Sequence, residues 1–264
     1  MKRILLLIFL LYAISVNASD AIMGVSGAAD VILGTGNSDI QLHEVFEFDN
    51  IAATSSDLKL NKTGTNAWVE WGDGTVEQVS KTEYTSHTYA SAFTGHVRIW
   101  SDDNNPITQF YSNDNKYSFD LADFPVNVTD IAISGYNTIS GNVADFPVNV
   151  TYIAIYGYNT IAGNVADFPV NVTYIAISGY NTITDYTAGR VWANNQQKIY
   201  LAPAAGSGLD ATEVDNLLID LANVATWGGV KEVWLAGNNA ARTAASDAAV
   251  ATLIGKGVSV TVNE

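Results

Sequence analysis

The sequence contains no cysteine among its 264 residues, only three histidines, and 12 lysines and arginines against 27 aspartates and glutamates. Without cysteine the chain has no disulfide, no thiolate nucleophile and no thiolate metal ligand. The formal net charge of −15 argues against nucleic acid and anionic membranes as partners, because both repel an acidic surface. No apolar stretch reaches the 18 residues of a membrane-spanning helix, so we expect no membrane insertion.

The residues that enzymes use are also scarce. His43, His87 and His96 all lie in the first part of the chain, and no motif gathers them. Residues 206–208 (GSG) lack the spacing of a nucleophile elbow, and residues 34–36 (GTG) lack a phosphate-loop lysine. The sequence therefore predicts a protein that is not an enzyme and holds no cofactor and no metal.

The N-terminus has the order of a secretory signal. Met1, Lys2 and Arg3 form a basic start, residues 4–14 are apolar or nearly so, and Ala18 ends a site of small residues. This order predicts a signal peptide over residues 1–18. Its removal would leave 264 − 18 = 246 residues with a charge of 10 − 27 = −17. We therefore expect a secreted or cell-surface protein without a membrane anchor.

A repeat of 22 residues sets the architecture of the second half. Residues 122–129 (ADFPVNVT) recur unchanged at 144–151 and 166–173, and residues 135–139 (GYNTI) recur at 157–161 and 179–183. We assign the units to residues 124–145, 146–167 and 168–189. A period of this length predicts a solenoid in which each unit buries its apolar face against its neighbours.

Each unit contains a short alternating segment that is typical of a strand. Five such cores should stack in chain order as one parallel sheet, namely residues 131–133, 153–155, 175–177, 199–201 and 233–235. The apolar pattern resembles the leucine-rich-repeat family, in the form with a twelve-residue segment and of the type in secreted bacterial or phage proteins. The resemblance covers residues 106–264 and implies binding of macromolecules through the concave face.

Two helices and a closing strand are predicted in the last units. Asp210 and Glu213 have the spacing of a capping box, and apolar residues follow at helical intervals from Val214 to Leu221. A second helix should run over about 246–254 and end at Gly255, with an alternating strand behind it at 258–262. Atypical end units of this kind shield the core of a solenoid.

The segment 40–105 predicts a β-sandwich, because short alternating runs are separated by turn residues. The run 71–75 (WGDGT), followed by 87–89 (HTY), resembles PKD-type immunoglobulin-like domains, which implies a spacer or adhesion module. Asp73 and Gly74 would form its tight turn. Residues 19–39 are Gly-rich and stay unassigned. The fold class is thus mainly β, an N-terminal sandwich before a parallel solenoid with two helices.

Two repeated columns should be structural. Stacked amides at one turn can satisfy buried backbone groups, and phenylalanines can stack on the convex side. These residues are Asn137, Asn159, Asn181 and Asn239, and Phe124, Phe146 and Phe168.

Residues that alternate with the inward isoleucines should face solvent, and aromatics recur among them. The candidate binding residues are Tyr152, Tyr156, Tyr174, Tyr200 and Trp234. Ala132, Ala154 and Ala176 should leave room beside these rings for a ligand. We expect recognition of an extracellular protein or glycan; the alternative is a structural subunit of an extracellular or virion assembly, built from stacked units.

Overall fold

A computed structural model describes residues 21–25, 30–35, 39–62, 67–79, 84–102 and 107–264. The predicted signal peptide, residues 1–18, lies outside the described residues. The chain divides after residue 42 into two compact units. In the first unit, β1 (Ala21–Val25) pairs antiparallel with β2 (Asp30–Thr35). These strands fall within the segment 19–39 that the sequence left unassigned.

The second unit begins with antiparallel strands. They are β3 (Asp39–Lys62), β4 (Ala67–Glu70), β5 (Val76–Gln78) and β6 (Thr85–Asp102). Strand β4 pairs antiparallel with both β5 and β6. Its side chains alternate, with Ala67 and Val69 buried, as expected for a strand with one face against a core. The predicted boundary between 105 and 106 falls in residues 103–106, outside the described part of the chain.

Parallel strands follow, joined by short 3₁₀ helices and two α-helices. The strands are β7 (Ile107–Asn115), β8 (Tyr117–Asp120), β9 (Asp130–Gly135), β10 (Thr138–Asn142), β11 (Tyr152–Tyr156), β12 (Thr160–Asn164), β13 (Tyr174–Ser178), β14 (Thr182–Asp185), β15 (Gln196–Ala202), β16 (Trp227–Leu235) and β17 (Ser259–Val262). The helices are α1 (Ala211–Ala222) and α2 (Asp247–Gly255). The mainly β fold with a parallel solenoid and two helices is therefore confirmed.

The first parallel sheet, here called sheet 1, contains β7, β9, β11, β13, β15, β16 and β17 in that order. Equivalent residues of the repeats stand side by side, so Ile131 pairs with Ile153 and Ile153 with Ile175. The predicted stacking of the five strand cores in chain order is confirmed, with β7 added before them and β17 after them.

A second parallel sheet, sheet 2, was not predicted. It contains β8, β10, β12 and β14. Its register differs from that of sheet 1, because Ser140 pairs with Thr160, twenty residues later rather than 22. The sequence pattern hid most of these strands because β10, β12 and β14 each keep only one large inward side chain, namely Ile139, Ile161 and Ile183.

One core fills the space enclosed by the sheets. Ile131 and Ile153 of sheet 1 and Ile139 of sheet 2 are completely buried in it. Strand β3 pairs antiparallel with both β7 and β8, so it covers the first rung of the solenoid. A parallel array with an unpaired edge would offer free backbone groups to other chains. Strand β3 closes that edge with its own backbone hydrogen bonds.

The ends of the α-helices follow from local chemistry. The Asp210 side chain accepts a hydrogen bond from the backbone nitrogen of Glu213, and the Glu213 carboxylate accepts one from the backbone of Asp210, each at 2.8 Å. The predicted capping box is therefore present. Helix α2 includes Gly255 instead of ending before it, because the left-handed residue is Gly257, with φ of 78°.

Candidate functional site on the outer face of sheet 1

The outer face of sheet 1 is ordered in rows across the strands. The register aligns one residue of each strand in a first row and the residue two positions later in a second row. The first row is Asp130, Tyr152, Tyr174, Lys198 and Glu232. The second row is Tyr111, Ala132, Ala154, Ala176, Tyr200 and Trp234. The structure thus brings four of the five predicted binding residues into two adjacent rows.

The aromatic rings in these rows stack in pairs. The ring centroids of Tyr152 and Tyr174 are 4.2 Å apart with an angle of 18° between the planes. Those of Tyr200 and Trp234 are 4.6 Å apart with an angle of 23°. Adjacent parallel strands bring such rings within stacking distance, so the predicted pairing of neighbours is confirmed.

An ion pair lies between the two aromatic pairs. The Lys198 Nζ atom is 2.9 Å from a Glu232 carboxylate oxygen, and it lies 5.9 and 5.2 Å from the ring centroids of Tyr174 and Tyr200. Partial burial lowers the pKa of Lys198, but the hydrogen bond to Glu232 outweighs it, so the net shift is upward. The ammonium group therefore stays charged and ties the two pairs of rings together.

Tyr156, the fifth predicted residue, lies at the end of β11 and leans toward the others. Tyr174 influences the pKa of the Tyr156 hydroxyl and that of the Tyr152 hydroxyl, so the three phenols belong to one cluster. Burial, followed by the influence of Tyr174, raises the pKa of Tyr152 to about 12. The Tyr152 phenol is therefore a neutral hydrogen-bonding group at ordinary pH.

The expected space beside the rings is not present. Ala154 and Ala176 are 5% and 0% exposed, although their register points them outward. A methyl side chain is much shorter than the tyrosines of the same face, Tyr152 and Tyr174 in the row before and Tyr200, which pairs with Ala176. The expectation that the alanines leave room for a ligand was therefore wrong for Ala154 and Ala176, while Ala132 is half-buried.

The asparagine column is buried, with exposures of 0 to 4% for Asn137, Asn159, Asn181 and Asn239. The Asn137 side chain accepts a hydrogen bond from the backbone of Tyr117 and donates one to the Ser134 carbonyl, at 3.1 and 2.7 Å. Asn239 likewise donates to the Leu201 carbonyl at 3.0 Å. These amides satisfy backbone groups at the turn between the sheets, as their spacing predicted.

The phenylalanine column is buried too. The rings of Phe146 and Phe168 stack at 5.8 Å, and Phe124 stacks on Phe46 of β3 at 5.2 Å. The column therefore extends into the N-terminal strands and helps to join them to the solenoid.

The Asp73 turn has the geometry expected of a structural element. Its carboxylate accepts a hydrogen bond from the backbone of Thr75 at 3.0 Å and lies 2.8 Å from the His87 ring. Burial raises the pKa of Asp73, but these two contacts outweigh it and lower the pKa overall. His87 stacks on Trp71, and Gly74 adopts a φ of 93°. This histidine is engaged in holding the turn.

Sequence reasoning missed a second aromatic ladder. Tyr136, Tyr158 and Tyr180 stack at centroid distances of 5.7 and 5.5 Å and are 63%, 48% and 59% exposed. They lie in the turns between sheets 1 and 2. The signal was in the repeat GYNTI, because a residue between a glycine and a buried asparagine has to project outward. Tyr111 of β7 was missed as well, although it pairs with Ala132.

Comparison of the chain with protein-family models, with curated proteins and with solved structures returned no match. Across the described residues, no helix is long and apolar enough to cross a membrane. Within the same part of the chain, no group of three or more His, Asp or Glu side chains is placed to hold a metal ion.

Proposed function

We propose that this chain is a recognition protein that binds an extracellular protein or glycan through the outer face of sheet 1. The observation that carries the proposal is the cluster of Tyr152, Tyr156, Tyr174, Tyr200 and Trp234 around the Lys198–Glu232 ion pair. Aromatic rings provide a large contact area at low entropic cost, and their polar atoms add specificity. A central aromatic group of this kind is typical of the energetic centre of an interface.

The preorganisation of the cluster supports the same function. Four of the five rings are stacked in pairs on neighbouring strands of a parallel sheet, so little side-chain freedom is lost when a partner binds. The phenol groups and the ion pair supply hydrogen bonds in both directions. The stacked rings carry no charge of their own and the one lysine among them is paired with Glu232, so the partner need not be strongly charged.

The test is a screen of the full chain on arrays of secreted proteins and glycans, followed by titration of the strongest hit. The double variant Tyr174→Ala, Trp234→Ala should bind several hundredfold more weakly, because truncating one central aromatic typically costs about 2 kcal/mol. The double variant Val126→Ala, Val148→Ala removes two exposed residues elsewhere and should bind normally. A folded aromatic double variant that binds like the parent would show that the site lies elsewhere.

The alternative, a structural subunit of an assembly, predicts a different solution behaviour. Its mass in light scattering should grow with concentration, because repeated units that pair between chains add copies without limit. A recognition protein of fixed size should keep one mass over the same range.

We further propose that the repeats are of leucine-rich-repeat type, that the N-terminal strands form a PKD-like sandwich, and that the chain is secreted by its N-terminal signal. The buried asparagine column and the Trp71 to Thr75 turn support the first two proposals. Recovery of the chain from culture medium, with residue 19 as its new N-terminus, would test the third.

A further inference from the structure

The exposed ladder of Tyr136, Tyr158 and Tyr180, here called the tyrosine edge, is separate from the cluster on sheet 1. It follows the turns that join sheet 1 to sheet 2, and each rung also exposes a threonine two residues later, Thr138, Thr160 and Thr182. Every rung of the edge thus offers the same pair of hydroxyl-bearing side chains.

The backbone beneath the tyrosine edge is rigid. A Cβ atom on Gly157 would lie 2.2 Å from the Gly135 carbonyl oxygen, and one on Gly179 would lie 2.1 Å from that of Gly157. The turns therefore approach each other as closely as backbones can. The residue after each tyrosine is a buried asparagine, Asn137, Asn159 or Asn181, which holds the backbone on that side. A ligand would meet tyrosines that are already in place, which lowers the entropic cost of binding.

The tyrosine edge carries no charge, although the whole chain has a formal charge of −15. No Asp, Glu, Lys, Arg or His occurs in residues 131–144, 153–166 or 175–184. The register aligns Lys116 with Tyr136 at the first rung, where the lysine Nζ donates a hydrogen bond to the Ala52 carbonyl at 3.3 Å. The three tyrosine rungs themselves contain no charged side chain, and a polyanion would be repelled by the acidic rest of the molecule. The chemistry of the edge fits an uncharged ligand rich in hydroxyl groups.

The shape of the edge limits the ligand further. A stable protein interface buries about 800 Å² on each partner, far more than the edges of three stacked rings supply. A narrow strip suits a narrow, extended chain. Because the same groups return at each rung, 5.7 and 5.5 Å apart, the best complement is a polymer that itself repeats along the strip.

We propose that the tyrosine edge binds an extended, uncharged polysaccharide, with successive sugars lying along the axis of the solenoid. The phenol and threonine hydroxyls exchange hydrogen bonds with the sugar hydroxyls, and the ring edges contact the C–H groups. This site differs from the one proposed on sheet 1, and either can exist without the other.

The test is affinity electrophoresis of the full chain in gels that contain hydroxyethyl cellulose, xyloglucan, laminarin or mannan, with alginate as the anionic counterpart. At least one uncharged polymer should retard the chain, and alginate should not. Oligosaccharides of the retarding polymer should bind more tightly with each added sugar until the ladder is spanned, and should bind no more tightly beyond that length.

Variants then locate the site. Tyr158→Ala should weaken binding about tenfold or more, and Tyr136→Ala, at the end of the ladder, should weaken it less. Val148→Ala is the matched control, since this valine also repeats every 22 residues and is 65% exposed on another turn. Thermal melting of each variant shows that the fold is kept, and Tyr158→Phe tests the hydroxyl with the ring in place.

Several outcomes would overturn the proposal. They are retardation by none of the uncharged polymers, retardation by alginate alone, parental affinity in a folded Tyr158→Ala variant, and loss of sugar binding only in the Tyr174→Ala, Trp234→Ala variant. The last result would move the sugar to sheet 1 and leave the function proposed there intact. Binding of a protein that depends on Tyr158 would also contradict the proposal.

Discussion

Replacing Gly157 by alanine should destabilise the protein much more than the same change at Gly189. Both glycines have positive φ, 134° and 96°, so each variant forces an alanine into a conformation that costs about 1–2 kcal/mol. The surroundings differ. A Cβ at position 189 meets no atom within 4 Å, whereas one at 157 would lie 2.2 Å from the Gly135 carbonyl oxygen.

That clash cannot be relieved by a side-chain rotation, because the obstacle is backbone. The rungs would have to separate by about 1 Å, which would weaken neighbouring inter-strand hydrogen bonds worth about 1 kcal/mol each. We expect Gly157→Ala to cost about 4 kcal/mol in total and Gly189→Ala about 1–2 kcal/mol. For a chain of this size the melting temperature should fall by about 10 °C for Gly157→Ala and by about 4 °C for Gly189→Ala.

The measurement is thermal melting followed by circular dichroism, with denaturant titration at 25 °C as a second estimate of the free energy of unfolding. Equal melting temperatures for the two variants would refute the reasoning. They would mean that the rungs at the tyrosine edge are not in backbone contact, and that only the φ angle requires glycine there.

Two further predictions concern the core and the cap. Ile153→Asn should lower the free energy of unfolding by about 4 kcal/mol or more, because it buries an unpaired amide where Ile153 is 0% exposed. Tyr152→Asn should lower it by about 1 kcal/mol. Equal losses in denaturant titration would mean that the strand register is shifted by one residue. Burial raises the pKa of Asp215, but hydrogen bonds from Ser246 and Thr243 outweigh it and lower the pKa. This carboxylate should therefore stabilise the fold fully above about pH 4 and lose that effect as pH falls through its lowered pKa. In Asp215→Ala, the melting temperature should fall less steeply with decreasing pH than in the parent. An equally steep fall would contradict the assignment.

The sequence was sufficient for features that depend on local periodicity. The 22-residue repeat placed the strand cores of sheet 1, because identical units can bury their apolar faces only by stacking in register. The alternation around Ile153 distinguished inward from outward residues, and Asp210 with Glu213 marked the start of α1. The predicted neighbours Tyr152 and Tyr174 followed from the same register.

Tertiary structure decided what depends on distances between rungs. Strands β10, β12 and β14 of sheet 2 have too few inward side chains to show a period, and β3 pairs with two strands more than 40 residues away. The burial of Ala176 depends on larger neighbours from other rungs. The tyrosine edge arises because turns of glycine and buried asparagine stack in backbone contact. Sequence periodicity specifies which way a side chain points, but only the packing of one rung on the next determines what covers it.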